Sequence, residues 1–406
     1  MHLFFIFLLG FSSGLPFAIL STTLIAWFSF SDAPLAITAL FSITNIPYAY
    51  RVFWAPLLDR YNFSRLGKRR SIIISMQILI CIGFYFISTL SPENDAILLL
   101  LLALILAFFS ATQDAVIDAH RIEYLPEKLH GLGSSLAVSG YRCGLLCGGL
   151  SLIVAQHIGF PSTYRYLCLL FIPPFLATLY SKEPQHPKTS AFSSWRETFF
   201  TPIENVYQRP YFWSLVAYIL LFKCGDIFTS STSAIALPFL IQHSGFSLQE
   251  IGYIQKLLGT SAIIIGGISS GVLLLYWPLA RALKTLGILQ ACCNLLFAFL
   301  AYSGKNIFLL GGCVVIDNLA SGMASTALLA LLMRLTNTAF AATQFSIFVC
   351  IAMLPRVFSG PIGTYLQQHF GWEGLYILAF FLALGFLPFL RQLTNRLGET
   401  LDDPKK

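Results

Sequence analysis

Twelve apolar segments, each close to the roughly 20 residues that carry a helix across the bilayer hydrocarbon, leave this chain few folds to choose from. They run over 3–29, 36–58, 71–90, 96–118, 131–156 and 163–181, and then 211–240, 249–275, 284–302, 307–333, 341–367 and 374–392. Only 11% of the 406 residues are charged, against about 25% in a soluble domain. Lipid offers no partner to backbone amides, so segments of this kind span as helices. The expected fold class is an all-α membrane protein with twelve transmembrane helices in two six-helix halves. The N-terminus has no basic flank and no small-residue cleavage site, so 3–29 reads as a retained helix and not a signal peptide.

One polar stretch separates the halves. Residues 1–181 form the N-terminal half, 182–210 a linker with Pro184, Pro187, Pro202 and Pro210, 211–393 the C-terminal half and 394–406 a tail. Within the linker, Ala191 to Val206 reads as a short surface helix with Phe192, Trp195, Phe199, Phe200 and Ile203 on one side, or else as an irregular connection. Eighteen Lys and Arg residues fall in the linker, the tail and the connections on the same side, while Lys305 alone falls on the other. The positive-inside rule then places the linker and both termini in the cytoplasm. Anionic lipid at that face accounts for the net charge of +7 without nucleic acid.

The halves repeat. Gln156-His-Ile-Gly-Phe160 matches Gln368-His-Phe-Gly-Trp372, and a Tyr follows each Gly by five residues, Tyr164 and Tyr376. Arg142 and Arg356 precede the two matches inside apolar segments, and Gly14 and Gly225 stand in the first helix of each half. Parallel six-helix repeats of this kind place a substrate site near the bilayer midplane.

Ionisable residues within apolar segments are costly, and they face a bundle interior or a water-filled cavity. On a continuous helix Ser110, Asp114, Asp118 and Arg121 share one stripe. Asp118 reads as a salt-bridge partner of nearby arginines; Asp114, one turn deeper, reads either way, as a clasp member or as a proton- or substrate-handling group. Further interior ions are Arg51, Lys223, Asp226, Lys256 and Asp317. Lys223 and Asp226, three apart, are close enough to pair. Arg142, Lys223, Lys256 and Arg356 are cations suited to substrate carboxylates, with Gln113 and Asn45 as amides for a polar ligand. Asp114, Asp226 and Asp317 are the carboxyls able to cycle a proton. Asp59, Arg60, Asp118 and Arg121 are expected to form a cytoplasmic gating clasp.

Catalysis finds little footing. The sequence has no P-loop, no HExxH and no GxSxG, and its seven histidines are scattered. All nine cysteines lie in apolar segments without metal-ligand spacing and read as small core residues. No cofactor or metal is implied.

The run Ala111-Thr-Gln-Asp-Ala-Val-Ile-Asp-Ala119, with Arg121, Glu123 and Leu125-Pro126, resembles the signature of AmpG-type muropeptide permeases of the major facilitator superfamily. So do Trp54-Ala-Pro-Leu-Leu-Asp-Arg-Tyr61 with Leu66-Gly-Lys-Arg-Arg70, Gly10-Phe-Ser-Ser-Gly-Leu-Pro16, Gly140-Tyr-Arg142, Phe222-Lys-Cys-Gly-Asp226, Asn318-Leu-Ala-Ser-Gly-Met323 and Ala342-Thr-Gln344. Two departures stand out: the second half reads Leu275-Tyr-Trp-Pro-Leu-Ala-Arg281 in place of the loop motif, and Asp317 stands where Glu is expected. The resemblance implies an inner-membrane permease that imports anhydro-muropeptides with protons by alternating access; a monomer is expected. A facilitator for another small solute or drug, and a non-transporting sensor on the same fold, are the alternatives.

Overall fold

The computed structural model describes residues 2–31, 41–60, 67–183, 195–230 and 235–397. All regular secondary structure among them is helical. We number the helical segments α1 (residues 2–30), α2 (41–60), α3 (Lys68–Ile87), α4 (Ala96–Tyr124), α5 (His130–Ile158), α6 (160–180), α7 (Trp195–Tyr207), α8 (Phe212–Lys223), α9 (236–243), α10 (248–273), α11 (Leu279–Ser303), α12 (Ile307–Leu335), α13 (Ala341–Leu384) and α14 (Phe386–Leu397). Among the described residues, eight helical runs are long and apolar enough to cross a membrane.

Several segments expected as continuous helices are interrupted. Segment α2 alternates 3-10 turns at Phe41–Asn45 and Arg51–Phe53 with short α-helical pieces, and Pro47 and Pro56 lie within it. Helix α8 stops at Lys223, not near residue 240. Within α13, by contrast, two helices meet at Gly371, whose φ of 69° no right-handed helix accommodates, and this break lies between the expected segments 341–367 and 374–392. The linker helix covers Trp195–Tyr207; Ala191 to Ser194, with Phe192, lie outside the described residues.

Interrupted backbone in an apolar interior needs internal hydrogen-bond partners, and three amide-bearing residues supply them. Pro16 lacks the N–H that would bond the carbonyl of Ser12 four residues earlier. Gln113 of α4 donates to that carbonyl from Nε2 at 2.8 Å and to Ser12 Oγ at 2.7 Å. Beyond the end of α8, the carbonyl of Gly225 accepts from Asn294 Nδ2 at 3.1 Å and Gln290 Nε2 at 3.4 Å, both on α11. Gln113, Asn294 and Gln290 are all buried.

Lipid tails are as apolar as the side chains, so close packing has to hold the helices together. A Cβ at Gly140 would lie 2.0 Å from the carbonyl oxygen of Phe7, and one at Gly14 2.2 Å from that of Tyr141. Helices α1 and α5 therefore touch backbone to backbone. Gly266 and Gly322 do the same for α10 and α12, against Leu319 and Ile263.

The chain divides into two compact units. Unit 1 holds Met1–Pro126, Leu136–Ile203 and Thr336–Ile347; unit 2 holds Glu127–Ser135, Glu204–Leu335 and Phe348–Lys406. Each unit contains one copy of the repeated Gln-His-x-Gly turn. Gly159 (φ 81°) and Gly371 (φ 69°) both sit in the left-handed region. His157 and His369 each contact the carbonyl four residues back, at 3.0 and 2.9 Å. Tyr164 and Tyr376 are both fully buried. Trp27 stacks on Phe160 in unit 1, and Phe239 lies against Trp372 in unit 2. The repeat read from five residues thus recurs in backbone geometry and in packing. None of the nine cysteines is in a disulfide.

Candidate functional site

Interior charges collect in three places. In unit 1, the 3-10 turn of α2 carries Arg51 to the face of α4. Trp54 Nε1 donates to Thr112 Oγ1 at 3.0 Å and fixes that approach. Arg51 then bonds Asp114 at 2.6 Å through Nη1 and Asp118 at 3.0 Å through Nη2. The carboxylates stand one helical turn apart, so one guanidinium fork reaches both. Asp118 also takes Arg121 at 3.0 Å. The Asp114 side chain keeps 25% of its surface exposed, whereas Arg51 keeps 4%.

A second cluster of unit 1 is built on Arg69, which has no exposed surface. It donates to Asp59 at 2.7 Å, to Glu123 at 3.0 Å and to the carbonyl of Leu58 at 2.9 Å. Asp59 also accepts from the backbone N–H groups of Ala342 and Thr343, at 3.1 and 2.8 Å, and from Thr343 Oγ1 at 2.7 Å. The first turn of α13 has free N–H groups and the positive end of the helix dipole, so a carboxylate is its natural cap. Glu183 treats α3 in the same way, accepting from the N–H groups of Arg69 and Arg70 at 2.7 and 3.2 Å. Arg60 turns elsewhere: it donates to Thr198 Oγ1 at 2.9 Å and lies 4.7 Å from the ring centre of Trp195. The four residues grouped in sequence as one clasp therefore divide, with Asp118 held between Arg51 and Arg121, Asp59 on Arg69, and Arg60 on α7.

Unit 2 carries the third group. Lys223 and Asp226 pair at 2.8 Å where α8 ends. Ser321 Oγ lies 3.4 Å from the same carboxylate oxygen, and Arg356, exposed on α13, is within its electrostatic reach. Asp317 is 2% exposed. It accepts from Thr229 Oγ1 at 2.9 Å and Gln290 Nε2 at 3.0 Å. Among the described residues, no Lys or Arg stands at ion-pair distance from it.

The remaining candidates are dispersed. Arg142 is half-buried on α5, and Asn45 is exposed in the first turn of α2. Gln113 is fully buried, with its amide committed to Ser12. The side chain of Lys256 lies outside the described residues. Sequence reasoning gave no role to Arg51, Arg69, Glu123, Glu183 or Gln290. Arg69 and Glu123 lie inside the quoted motifs and were legible there. Arg51, set among aromatics, carried no such signal.

Residues 3–360 match the Major Facilitator Superfamily. Over 378 residues, 92% of this chain and 75% of the other, the sequence is 35% identical to the anhydromuropeptide permease of Escherichia coli K12. Two solved structures share the fold at low identity. A bacterial homologue of the iron transporter ferroportin, in an outward-facing state, aligns with a TM-score of 0.71 and 14% identity over 97% of this chain and 99% of its own. The transporter FucP, in the outward conformation, aligns at 0.67 and 12%, over 96% and 98%. Paired interior charges on packed helices, a duplicated half and these matches place the chain in the Major Facilitator Superfamily and, within it, in the family of the anhydromuropeptide permease.

Proposed function

We propose that this protein imports anhydro-muropeptides across the inner membrane by proton-coupled alternating access. The observation that carries the reading is the 35% identity to the Escherichia coli permease across 92% of the chain. Membership in the superfamily makes it a multi-pass membrane transporter of a small molecule. A muropeptide presents sugar hydroxyls and peptide carboxylates. Arg142, Lys223, Lys256 and Arg356 are the cations proposed for the carboxylates, since guanidinium and ammonium groups recognise them. Asn45, exposed in a turn of α2, is a proposed sugar contact. Gln113 is better read as the amide that serves the Ser12 carbonyl.

For coupling, the three carboxyls differ in their neighbours. Protonating Asp114 or Asp226 would break an ion pair, with Arg51 or Lys223. Asp317 has a hydroxyl and an amide instead, and among the described residues no Lys or Arg at ion-pair distance that a proton would strand. We assign the proton to Asp317 and read the two ion pairs as switch elements that set helix positions. Asp59, held by Arg69 and capping α13, is the proposed latch, and Arg60 acts with α7.

Proteoliposomes holding the purified protein should accumulate a labelled anhydro-disaccharide-peptide when the interior is alkaline. Binding without uptake would favour a sensor, and uptake restricted to an unrelated solute would favour another facilitator. The charge asymmetry of eighteen to one supports a cytoplasmic linker and termini in twelve crossings. A cysteine probe at Glu197 should resist impermeant reagents in sealed cells and react once the membrane is opened. Labelling from outside would reverse the orientation.

A further inference from the structure

Helix α7 is too polar to span and too apolar for water. After Trp195, which is 57% exposed, its residues sort into three strips at 100° per residue. Thr198, Pro202 and Val206 are buried. Glu197, Thr201, Glu204 and Asn205 form an exposed polar strip. Between the two runs an arc of Phe199, Ile203, Tyr207 and Phe200; Phe200 is 63% exposed, Tyr207 58% and Ile203 48%. Arg196 lies within this apolar arc, whereas both glutamates lie off it.

We propose that this arc is a lipid-docking surface, bedded in the headgroup–acyl boundary of the bilayer. Connectivity holds the helix at that depth. Four residues separate Tyr207 from Phe212, where α8 begins, and the two ends can lie at most about 18 Å apart. The apolar exposure continues beyond the helix. Tyr207 packs edge-on to Phe212 and Trp213, and Trp213 is 70% exposed. Tyr and Trp gather at the membrane–water interface. The charge pattern selects the occupant. Arg196 can extend its head to lipid phosphates while its stem lies along the apolar arc, and the carboxylates are turned away from an anionic surface. An anionic lipid surface matches that separation of charge.

Lipid contact on one side has an effect on the other. Thr198 holds Arg60, and the carbonyl of Pro202 accepts from Gln344 Nε2 at 3.3 Å. The bilayer thus steadies a strut that touches both the loop motif and the segment capped by Asp59. The surface does not depend on which solute is carried.

The test is photocrosslinking of the full-length protein, with p-benzoylphenylalanine at position 200, 203, 197 or 204, in vesicles of phosphatidylethanolamine and phosphatidylglycerol. Intact mass then identifies each adduct. Positions 200 and 203 should give about tenfold more phospholipid adduct than 197 and 204, because only they reach the acyl boundary. Crosslinks to a second copy or to another protein at 200 and 203, equal lipid yields at all four positions, or no adduct at 200 and 203 would each overturn the proposal. Substitution at these exposed positions leaves the buried strip intact, so the labelled proteins should fold.

Discussion

Asp317→Asn should abolish accumulation driven by a proton gradient, leaving uptake at the passive level, while exchange of labelled for unlabelled substrate across the membrane stays measurable. Asparagine keeps the size of the side chain and both of its roles toward Thr229 and Gln290, but it cannot cycle a proton. Exchange needs only the loaded carrier to reorient, so it survives. The ion pair of unit 2 should behave differently. Lys223→Gln or Asp226→Asn alone leaves one charge buried without its partner, which is costly. The double variant removes both charges and should recover much of the gradient-driven uptake lost in either single variant. Gradient-driven accumulation by Asp317→Asn would remove Asp317 as the carrier. Failure of the double variant to recover would turn attention to Asp226.

Arg69→Met should cost about 3–5 kcal/mol of stability, the usual result of taking one partner from a buried ionic cluster. The arginine has no exposed side-chain surface, and its partners Asp59 and Glu123 keep 1% and 3% of theirs. Its removal takes the buried guanidinium from between two buried carboxylates. The apparent melting temperature in detergent should fall by on the order of 10 °C. Arg391→Met, at an exposed position on α14, should change it by no more than about 2 °C. A normal melting temperature for Arg69→Met would show that the cluster does not hold α3, α4 and the loop motif together.

Much of this was legible in the chain. Apolar runs of spanning length forced helices, because lipid permits nothing else on that scale. The Lys223–Asp226 contact followed from a spacing of three, and the duplicated turn from a five-residue match. Other features were hidden for definite reasons. Uninterrupted helices were expected for α2 and α8, yet hydropathy reads lipid compatibility and is blind to breaks whose carbonyls find partners elsewhere. Gln113 illustrates the difficulty. Its amide suited a sugar as well as a backbone, and only the place of Pro16 on the neighbouring helix decides between them. Arg51 and Asp114 lie 63 residues apart, and no local pattern joins them. Grouping Asp59 with Asp118 failed for a related reason: nearness to the same membrane face says nothing of which arginine each carboxylate meets.

The short segment 336–347 belongs to unit 1, although the rest of that unit is complete in sequence by Ile203. A ribosome makes the chain in one direction. When α1 to α6 have already entered the membrane, the backbone N–H groups that Asp59 will cap have not been synthesised. The carboxylate must then wait with Arg69 and water as partners. Unit 2 has the opposite order, because its segment 127–135 is made before anything else it packs with. Folding of the first unit therefore ends only after segments 127–135 and 204–335 of the second have emerged. Contacts that distant in sequence are slow to form, and damage to residues 336–347 would register as a defect of the half that was made first.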